Sequence, residues 1–334
     1  MINTLENLCR LNGTSGNEES VREYILSEIK DCAETRVDAL GNIIAFKKGK
    51  KSPDKKIMID AHMDEVGIIV KSITPDGFLK FSTVGGIKTS VLLCRKTVFE
   101  NGVCGVICLK PIHLLSKDEA AKLPNTDALY IDIGAADRKE AESIISIGAY
   151  GVIDGPFTQS GNITKSKAID DRAGCAVLID MLKNDAEYDF YATFTVQEEI
   201  GARGAKTAAY GVDPDFCIVL ESTTANDISG VDNDKSVCKL GEGAVVSFMD
   251  SGTMYDRHLY DIAMSSGIKC QPKSAVAGGN NSGSIHLTRS GVRTLALSVP
   301  CRYIHSPACV ADLRDIVSVR NMAEYMLCEM GKMQ

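Results

Sequence analysis

The sequence predicts an α/β protein in which a central mixed sheet flanked by helices is interrupted by a β-rich, barrel-like module. Near both ends of the chain, apolar β-branched runs alternate with helical patterns, which is typical of an α/β sheet. Between them, short β-like runs separated by glycines and polar turns indicate a small barrel or sandwich. The 334 residues suffice for two domains, which we place at 1–70 plus 162–334 and at 71–161.

The first 70 residues predict a helix, a hairpin and a strand. Ser15 and Asn17 are candidate helix caps. The apolar stripe of this helix consists of Val21, Tyr24, Ile25 and Ile29. The Gly41-Asn42 turn between two apolar runs predicts a hairpin. The apolar run after Lys56 then predicts a strand that leads into a polar cluster.

The rest of the chain predicts short elements first and longer ones later. In the middle, strands are expected at residues 78–81, 91–93, 96–99 and 103–109, and helices at 117–123 and 137–145. From Lys167 the α/β pattern resumes, with helices expected at 170–184 and 202–211 and strands at 189–199 and 215–221. Gly211 is expected to close the second of these helices.

Composition excludes several classes of function. A net charge of −7 without a basic cluster argues against nucleic-acid binding. No apolar run approaches membrane-spanning length, so we expect no membrane association. The first residues lack the pattern of a secretory signal, and the twelve cysteines are scattered without a C-x-x-C pair. We therefore expect a cytoplasmic protein with reduced thiols.

Two adjacent carboxylates, Glu198 and Glu199, end an apolar run and precede a glycine-rich turn. In open α/β sheets, ligands bind at the carboxyl ends of the strands. Neighbouring side chains on an extended segment point in opposite directions, so one glutamate can bind a metal ion while the other faces the substrate. The alternative is a solvated strand end, since charged residues are mostly exposed.

Histidines and further carboxylates follow other apolar runs. His62 and His305 lie in polar clusters, and Asp64 comes two residues after His62, where a carboxylate can orient the imidazole for a metal. Asp170 opens a helix, as a cap or as a carboxylate that bridges two ions, and Glu221 ends an apolar run. Such nitrogen and oxygen ligands without sulfur suit zinc, cobalt or manganese. Two such ions about 3.5–4 Å apart can promote hydrolysis.

Four ordered motifs carry a resemblance to a known family. They are A-H-M-D-E-V-G at 61–67, K-A-I-D-D-R-A-G at 167–174, V-Q-E-E-I-G-A-R-G-A at 196–205 and R-Y-I-H-S-P at 302–307. Together they closely resemble the tetrahedral aminopeptidases, which are dinuclear metallopeptidases. The resemblance covers essentially the whole chain. It implies a zinc-peptidase-like catalytic domain, an inserted dimerisation domain, and dimers that assemble into a dodecamer acting on short peptides.

The same resemblance implies a role for each residue. Asp170 would bridge two divalent metal ions, zinc or cobalt first and manganese next. The remaining ligands would be His62 and Glu221 on one ion, and Glu199 and His305 on the other. Glu198 would be the general base that takes a proton from a bridging water and passes it to the leaving amine. Asp64 would orient His62.

The sequence departs from the usual family pattern at three positions. Glu221 stands where many members carry Asp, and Asp227 is therefore a second candidate ligand. Asn281 replaces a charged residue in a stretch near the substrate site, which affects the expected substrate specificity. Ala308 follows H-S-P in place of the usual acidic residue, which would remove a contact to His305.

Three other functions compete with the aminopeptidase. A deacylase or carboxypeptidase would use the same kind of dinuclear site on substrates with a free carboxylate. A glycosidase is disfavoured because the chain has no tryptophan to form a sugar platform. A non-catalytic assembly module with a vestigial metal site is the alternative from another class, and the complete set of ligand residues argues against it.

Overall fold

The computed structural model describes residues 1–232 and 236–334. In chain order its strands are β1 (Glu34–Val37), β2 (Ile43–Lys47), β3 (Ile57–His62), β4 (Gly67–Ile73), β5 (Leu79–Val84), β6 (Lys96–Phe99), β7 (Cys104–Cys108), β8 (Tyr130–Asp132), β9 (Tyr150–Ile153), β10 (Thr158–Ser160), β11 (Ile163–Ser166), β12 (Phe190–Thr195), β13 (Phe216–Thr224), β14 (Ala244–Val246), β15 (Cys270–Pro272), β16 (Arg293–Arg302) and β17 (Cys309–Asp312).

The helices include long elements beside the sheet and short turns elsewhere. They are α1 (Ile2–Arg10), α2 (Glu19–Ile29), α3 (Thr89–Leu92), α4 (Lys117–Ala120), α5 (Arg138–Ile144), α6 (Ile169–Lys183), α7 (Arg203–Val212), α8 (Arg257–Met264), α9 (Ser282–Ile285) and α10 (Leu313–Met330), with 3-10 turns at Ile112–Leu114 and Thr126–Ala128. Within the described residues, none of these helices combines the length and apolar character needed to cross a membrane.

The main sheet brings four parallel strands together at its centre. Its strand order is β1-β2-β12-β3-β13-β16-β17-β11-β10, with β14 and β15 beside β16. Strands β12, β3, β13 and β16 are neighbours and run parallel, whereas the flanking strands are antiparallel. Because parallel strands share one carboxyl edge, the segments that follow them meet there. These four strands bring glutamates and histidines to that edge.

A closed six-stranded barrel lies within the chain, with strands in the order β4-β5-β8-β7-β6-β9. It has its own apolar core, formed by residues such as Ile68, Phe81, Phe99 and Ile131. The mixed sheet and the barrel confirm the predicted fold class. Strand β4 begins ahead of the predicted domain boundary at residue 71. The predicted domain ranges themselves stay a prediction.

Several local predictions differ from the structure. Residues 91–93 are not a strand, because Thr89–Leu92 form a helical turn. Strand β12 ends at Thr195, before the paired glutamates, although a strand is predicted to residue 199. Gly211 lies inside α7 and does not close it; the residue in the left-handed conformation after the helix is Asp213. The hairpin at Gly41 is confirmed by the pairing of β1 with β2.

A buried ionic network joins the N-terminal helix to the centre of the sheet. The Lys167 ammonium donates to both carboxylate oxygens of Glu65, at 2.7 and 3.0 Å. Arg172 donates to the same carboxylate at 3.1 Å and also to the backbone carbonyls of Leu8 and Met63. All three charged side chains are at least nine-tenths buried. Glu65 therefore balances two cations in the protein interior.

Replacement of Glu65 tests this network. The substitution Glu65→Gln would leave two buried cations without a counter-charge, so we expect it to lower the free energy of unfolding by about 3–5 kcal/mol. Urea denaturation followed by circular dichroism measures this change. The matched control is Glu329→Gln, which removes an exposed ion pair with Lys332 and should leave the midpoint unchanged. Equal midpoints for both variants would contradict the expected role of Glu65.

Candidate active site

Asp170 lies between the two histidines predicted to bind metal. Its Oδ1 atom is 3.5 Å from Nε2 of His62, and its Oδ2 atom is 3.6 Å from Nε2 of His305. Glu221 Oε1 lies 3.4 Å from the same nitrogen of His62, and Glu199 Oε2 lies 3.1 Å from that of His305. The structure thus brings together two groups of potential ligands, and Asp170 belongs to both.

The sequence folds locally so that each group reaches this edge of the sheet. His62 is the last residue of β3, and Glu221 lies on the neighbouring strand β13. Asp170 opens α6, where the backbone is not yet helical and the peptide bond to Asp171 is cis. His305 lies in the connection from β16 to β17. Its backbone is left-handed, with φ 61°.

Glu198 and Glu199 lie in a turn that Asp64 holds in place. The backbone N–H of Glu198 donates to Oδ1 of Asp64 at 2.9 Å, and that of Glu199 donates to Oδ2 at 3.1 Å. Gln197, immediately before them, has a left-handed backbone with φ 57°. Alternation along a strand therefore does not separate the two glutamates, contrary to the prediction. The two glutamates lie instead in a turn in which Asp64 anchors both of their backbone N–H groups.

Asp64 makes contacts beyond the one with His62 that the sequence predicts. Its Oδ1 lies 3.4 Å from Nδ1 of His62, which is longer than an ordinary hydrogen bond. Ser15 also donates to Oδ2 at 2.6 Å. The predicted helix-capping role of Ser15 is wrong, since α2 begins after Glu18 without a side-chain cap. Asp64 is fully buried and joins the N-terminal loop, the glutamate turn and His62.

A backbone carbonyl orients His305. Nδ1 of this ring lies 3.0 Å from the carbonyl oxygen of Gly86, in the segment that follows β5 of the barrel. When the N–H at Nδ1 donates to that oxygen, the lone pair of Nε2 is free to bind a metal ion, which is a common arrangement for ligand histidines. Ala308 therefore does not leave the ring without support. Nothing in the sequence signals this contact, because it uses main-chain atoms.

Burial and mutual repulsion shift the pKa values of the acidic groups. Burial raises the pKa of Glu221 to about 8 and that of Glu198 well above its ordinary range. The carboxylates of Glu221 and Glu199 raise the pKa of Glu198 further. Burial lowers the pKa of His305, but Asp170 and Glu199 outweigh this effect and raise it to about 11. Without divalent cations, protons therefore neutralise part of this cluster.

Other residues singled out in the sequence lie outside the two groups. Asp227 forms a bidentate ion pair with Arg302, in which both nitrogen–oxygen distances are 2.7 Å. Its carboxylate therefore does not belong to either group of potential metal ligands. Asn281 is buried and donates to Asp60 at 2.7 Å and to Thr195 at 2.8 Å. It supports strands β3 and β12 from within the core. We therefore expect Asn281 to affect substrate specificity through these strands and not through direct contact with the substrate.

The residues at this edge fit divalent metal ions. Oδ1 of Asp170 is buried and has no hydrogen-bond partner among the described residues. Buried polar atoms are normally satisfied, so this oxygen is suited to a cation. A cavity of about 20 Å³ adjoins Asp170, Glu199 and His305, which is roughly the space of one water-sized sphere. Imidazole and carboxylate donors together suit zinc, cobalt or manganese.

Residues 41–322 match the M42 glutamyl aminopeptidase family. The chain belongs to this family. It is 34% identical over 342 residues to the lysyl aminopeptidase of Pyrococcus furiosus, with 96% of this chain and 95% of that protein covered. Membership confirms the resemblance expected from the four motifs and supports a peptide hydrolase of the aminopeptidase type.

Solved structures show the same fold. Aminopeptidase APDkam598 from the archaeon Desulfurococcus kamchatkensis superimposes with a TM-score of 0.93 at 34% identity, over 98% of this chain and 94% of that one. The TET1 peptidase of Pyrococcus horikoshii can assemble into a tetrahedron or a large octahedral shell. It superimposes with a TM-score of 0.86 at 33% identity, over 98% of each chain.

Metal binding to this site should release protons. With the pKa of His305 raised to about 11, its ring is protonated at pH 7.5 in protein stripped of metal, and a metal ligand must be neutral. The affinity should therefore rise with pH below about 11. Titration of zinc by calorimetry in buffers of different ionisation enthalpy measures the released protons. An apparent enthalpy independent of the buffer would contradict this expectation.

A substitution at Gly85 can displace the adjacent carbonyl of Gly86. Gly85 has φ +79°, and a Cβ atom there would lie 2.7 Å from Val66 and 3.3 Å from Cβ of Glu199. We expect Gly85→Ala to shift the segment and to lower zinc affinity by about 10–100-fold, as the loss of a histidine's outer partner does. Zinc titration of metal-stripped protein measures this effect.

The matched control for Gly85→Ala is Gly102→Ala. Gly102 also has a left-handed backbone, with φ +83°, but a Cβ atom there would meet nothing within 4 Å. This variant carries the same kind of backbone strain without a displacement at His305. Unchanged zinc affinity in Gly85→Ala, or equal loss in both variants, would contradict the role of the Gly86 carbonyl.

Proposed function

We propose that the protein is a metal-dependent aminopeptidase that removes the N-terminal residue from short peptides. The observation that carries this proposal is the position of Asp170, whose two carboxylate oxygens face different histidines. Such a carboxylate suits two divalent ions, with zinc or cobalt first and manganese next. His62 and Glu221 would complete one site, and Glu199 and His305 the other.

Glu198 is the proposed general base. Two divalent ions at these groups would polarise the scissile carbonyl and make a water molecule acidic enough to lose a proton near neutral pH. Glu198 takes that proton and passes it to the leaving amine nitrogen. Asp64 keeps Glu198 in place through the backbone N–H.

The two parts of the fold have separate proposed roles. Residues 1–70 and 162–334 would form the catalytic domain, and residues 71–161 a dimerisation domain. The TET1 peptidase of Pyrococcus horikoshii, with which this chain superimposes, can assemble into a tetrahedron or a large octahedral shell. We therefore expect dimers that assemble into a dodecamer in the cytoplasm, with short peptides as partners. Light scattering measures the particle, and a stable monomer would contradict this assembly.

Separate neutralisation of the two adjacent glutamates tests the assignment of roles. We expect Glu198→Gln to lower turnover of aminoacyl-nitroanilides by about 10²–10⁴-fold while two ions per chain remain bound. Glu199→Gln is its matched control and should lower the bound metal, because it removes a carboxylate 3.1 Å from His305. Elemental analysis and nitroanilide assays measure the two effects. A fully active Glu198→Gln enzyme would refute the role of Glu198.

Substrate panels separate the aminopeptidase from the related hydrolases. Peptides with a free amine should be cleaved, and their N-acetylated forms should not. Preferential cleavage of N-acetylated substrates would favour a deacylase, and release of the C-terminal residue would favour a carboxypeptidase. If metal-loaded protein cleaves none of these substrates, the alternative of a vestigial metal site is favoured.

A further inference from the structure

A second cleft, about 690 Å³ in volume, adjoins the proposed catalytic centre. It lies between the segment that follows β5 of the barrel and the connection from β16 to β17. The residues that line it are Gly86, Lys88, Ser90, Val91, Arg95, Thr224, Tyr303, Ile304, His305, Ser306, Pro307 and Ala308. His305 also borders the small cavity beside Asp170 and Glu199. The cleft is therefore open to a substrate whose reacting end lies at those residues.

The charged side chains of this cleft are opposite in sign to the carboxylates at the catalytic centre. Its lining includes two cations, Lys88 and Arg95, and no carboxylate. Both side chains are exposed. Among the described residues, neither forms an ion pair with an acidic residue, and the one side-chain bond of Arg95 goes to the carbonyl oxygen of Val91. In a chain with net charge −7, such a cleft favours an anionic ligand.

The chain geometry keeps these cations near the reacting groups. The Gly86 carbonyl oxygen lies 3.0 Å from the His305 ring. Lys88 follows two residues later, so its Cα atom lies at most about 8 Å from that of Gly86. An extended peptide advances about 3.3–3.6 Å per residue. A carboxylate two or three residues beyond the scissile bond can therefore approach the Lys88 ammonium.

We propose that this cleft binds the C-terminal carboxylate of tripeptide and tetrapeptide substrates through Lys88 and Arg95. The inference rests on the proposed aminopeptidase function. The free amine end lies at the catalytic centre, and the exposed Tyr303 ring and the apolar Val91 line the path of the intervening residues. The enzyme then selects short peptides by charge at both of their ends.

The test compares peptides that differ only at the C-terminus. The probes are Leu-Ala-Ala and its C-terminal amide, or the same pair with the N-terminal residue that the wild-type enzyme releases fastest from a set of aminoacyl-nitroanilides. We expect the free acid to have about a three- to tenfold lower KM than the amide, which is the range for two ion pairs near a surface acting together. Added salt should reduce this ratio. In the Lys88→Gln/Arg95→Gln double variant, the ratio should fall to about one.

Two controls make the comparison specific. Lys96→Gln removes an exposed lysine that pairs with Asp154 and does not line the cleft, and it should keep the wild-type ratio. Calorimetric titration of both peptides into the Glu198→Gln enzyme should show the same preference in binding alone. Nitroanilide hydrolysis by the wild-type enzyme, the double variant and Lys96→Gln, all of which keep Glu198, shows whether the catalytic centre of each is active.

Each contrary outcome refutes a different statement. Equal KM values for acid and amide in the wild-type enzyme, or a ratio that survives in the double variant, would overturn the role of Lys88 and Arg95. A smaller particle in light scattering of the double variant, with the ratio unchanged, would assign the cleft to contacts between copies of the chain. Absence of any hydrolysis, the nitroanilides included, would refute the proposed function itself.

Discussion

Repulsion between buried carboxylates is the constraint on which the catalytic edge of the sheet depends. Asp170, Glu198, Glu199 and Glu221 converge there, and removal of each charge from water is costly. The two histidines offset part of this cost and lower the pKa of Asp170, whereas burial raises the pKa values of Glu198, Glu199 and Glu221, so that protons offset more. Divalent cations would replace those protons. Without metal ions, the clustered carboxylates are therefore energetically unfavourable, and the arrangement is suited to a metal centre.

The surrounding structure holds this unfavourable cluster in place. His62 and Glu221 lie on the parallel strands β3 and β13, and the connections after β12 and β16 bring the paired glutamates and His305 to the same edge of the sheet. Asp64 binds the turn of the paired glutamates through two backbone N–H groups. Behind them, Lys167 and Arg172 neutralise Glu65 and contribute one net positive charge close to the anionic groups. Rigid strands and buried ion pairs thus share the support of one site.

Much of the site could be predicted from the sequence because ligand residues follow apolar runs in short, recognisable motifs. His62 and Asp170 lie where the α/β pattern predicts a strand end and a helix start, whereas Glu221 lies within β13, which continues past its predicted end to Thr224. The paired glutamates were expected on a strand, but the left-handed backbone of Gln197 ends the extended segment before them. Main-chain contacts, such as the Gly86 carbonyl on His305, leave no trace in side-chain patterns. The separate role of Ser15 depends on a tertiary contact with Asp64, which local helix-capping rules do not include.

The contact between Gly86 and His305 has a consequence for how such proteins can be recombined. The barrel has its own apolar core, and by that criterion it could be exchanged between relatives as an independent unit. Yet a main-chain atom just beyond its strand β5 orients a histidine on the other part of the fold. A chimaera that joins a foreign barrel to this sheet must reproduce the backbone path through Gly85 and Gly86. Barrel and sheet are therefore coupled at this junction, even though each packs its own interior.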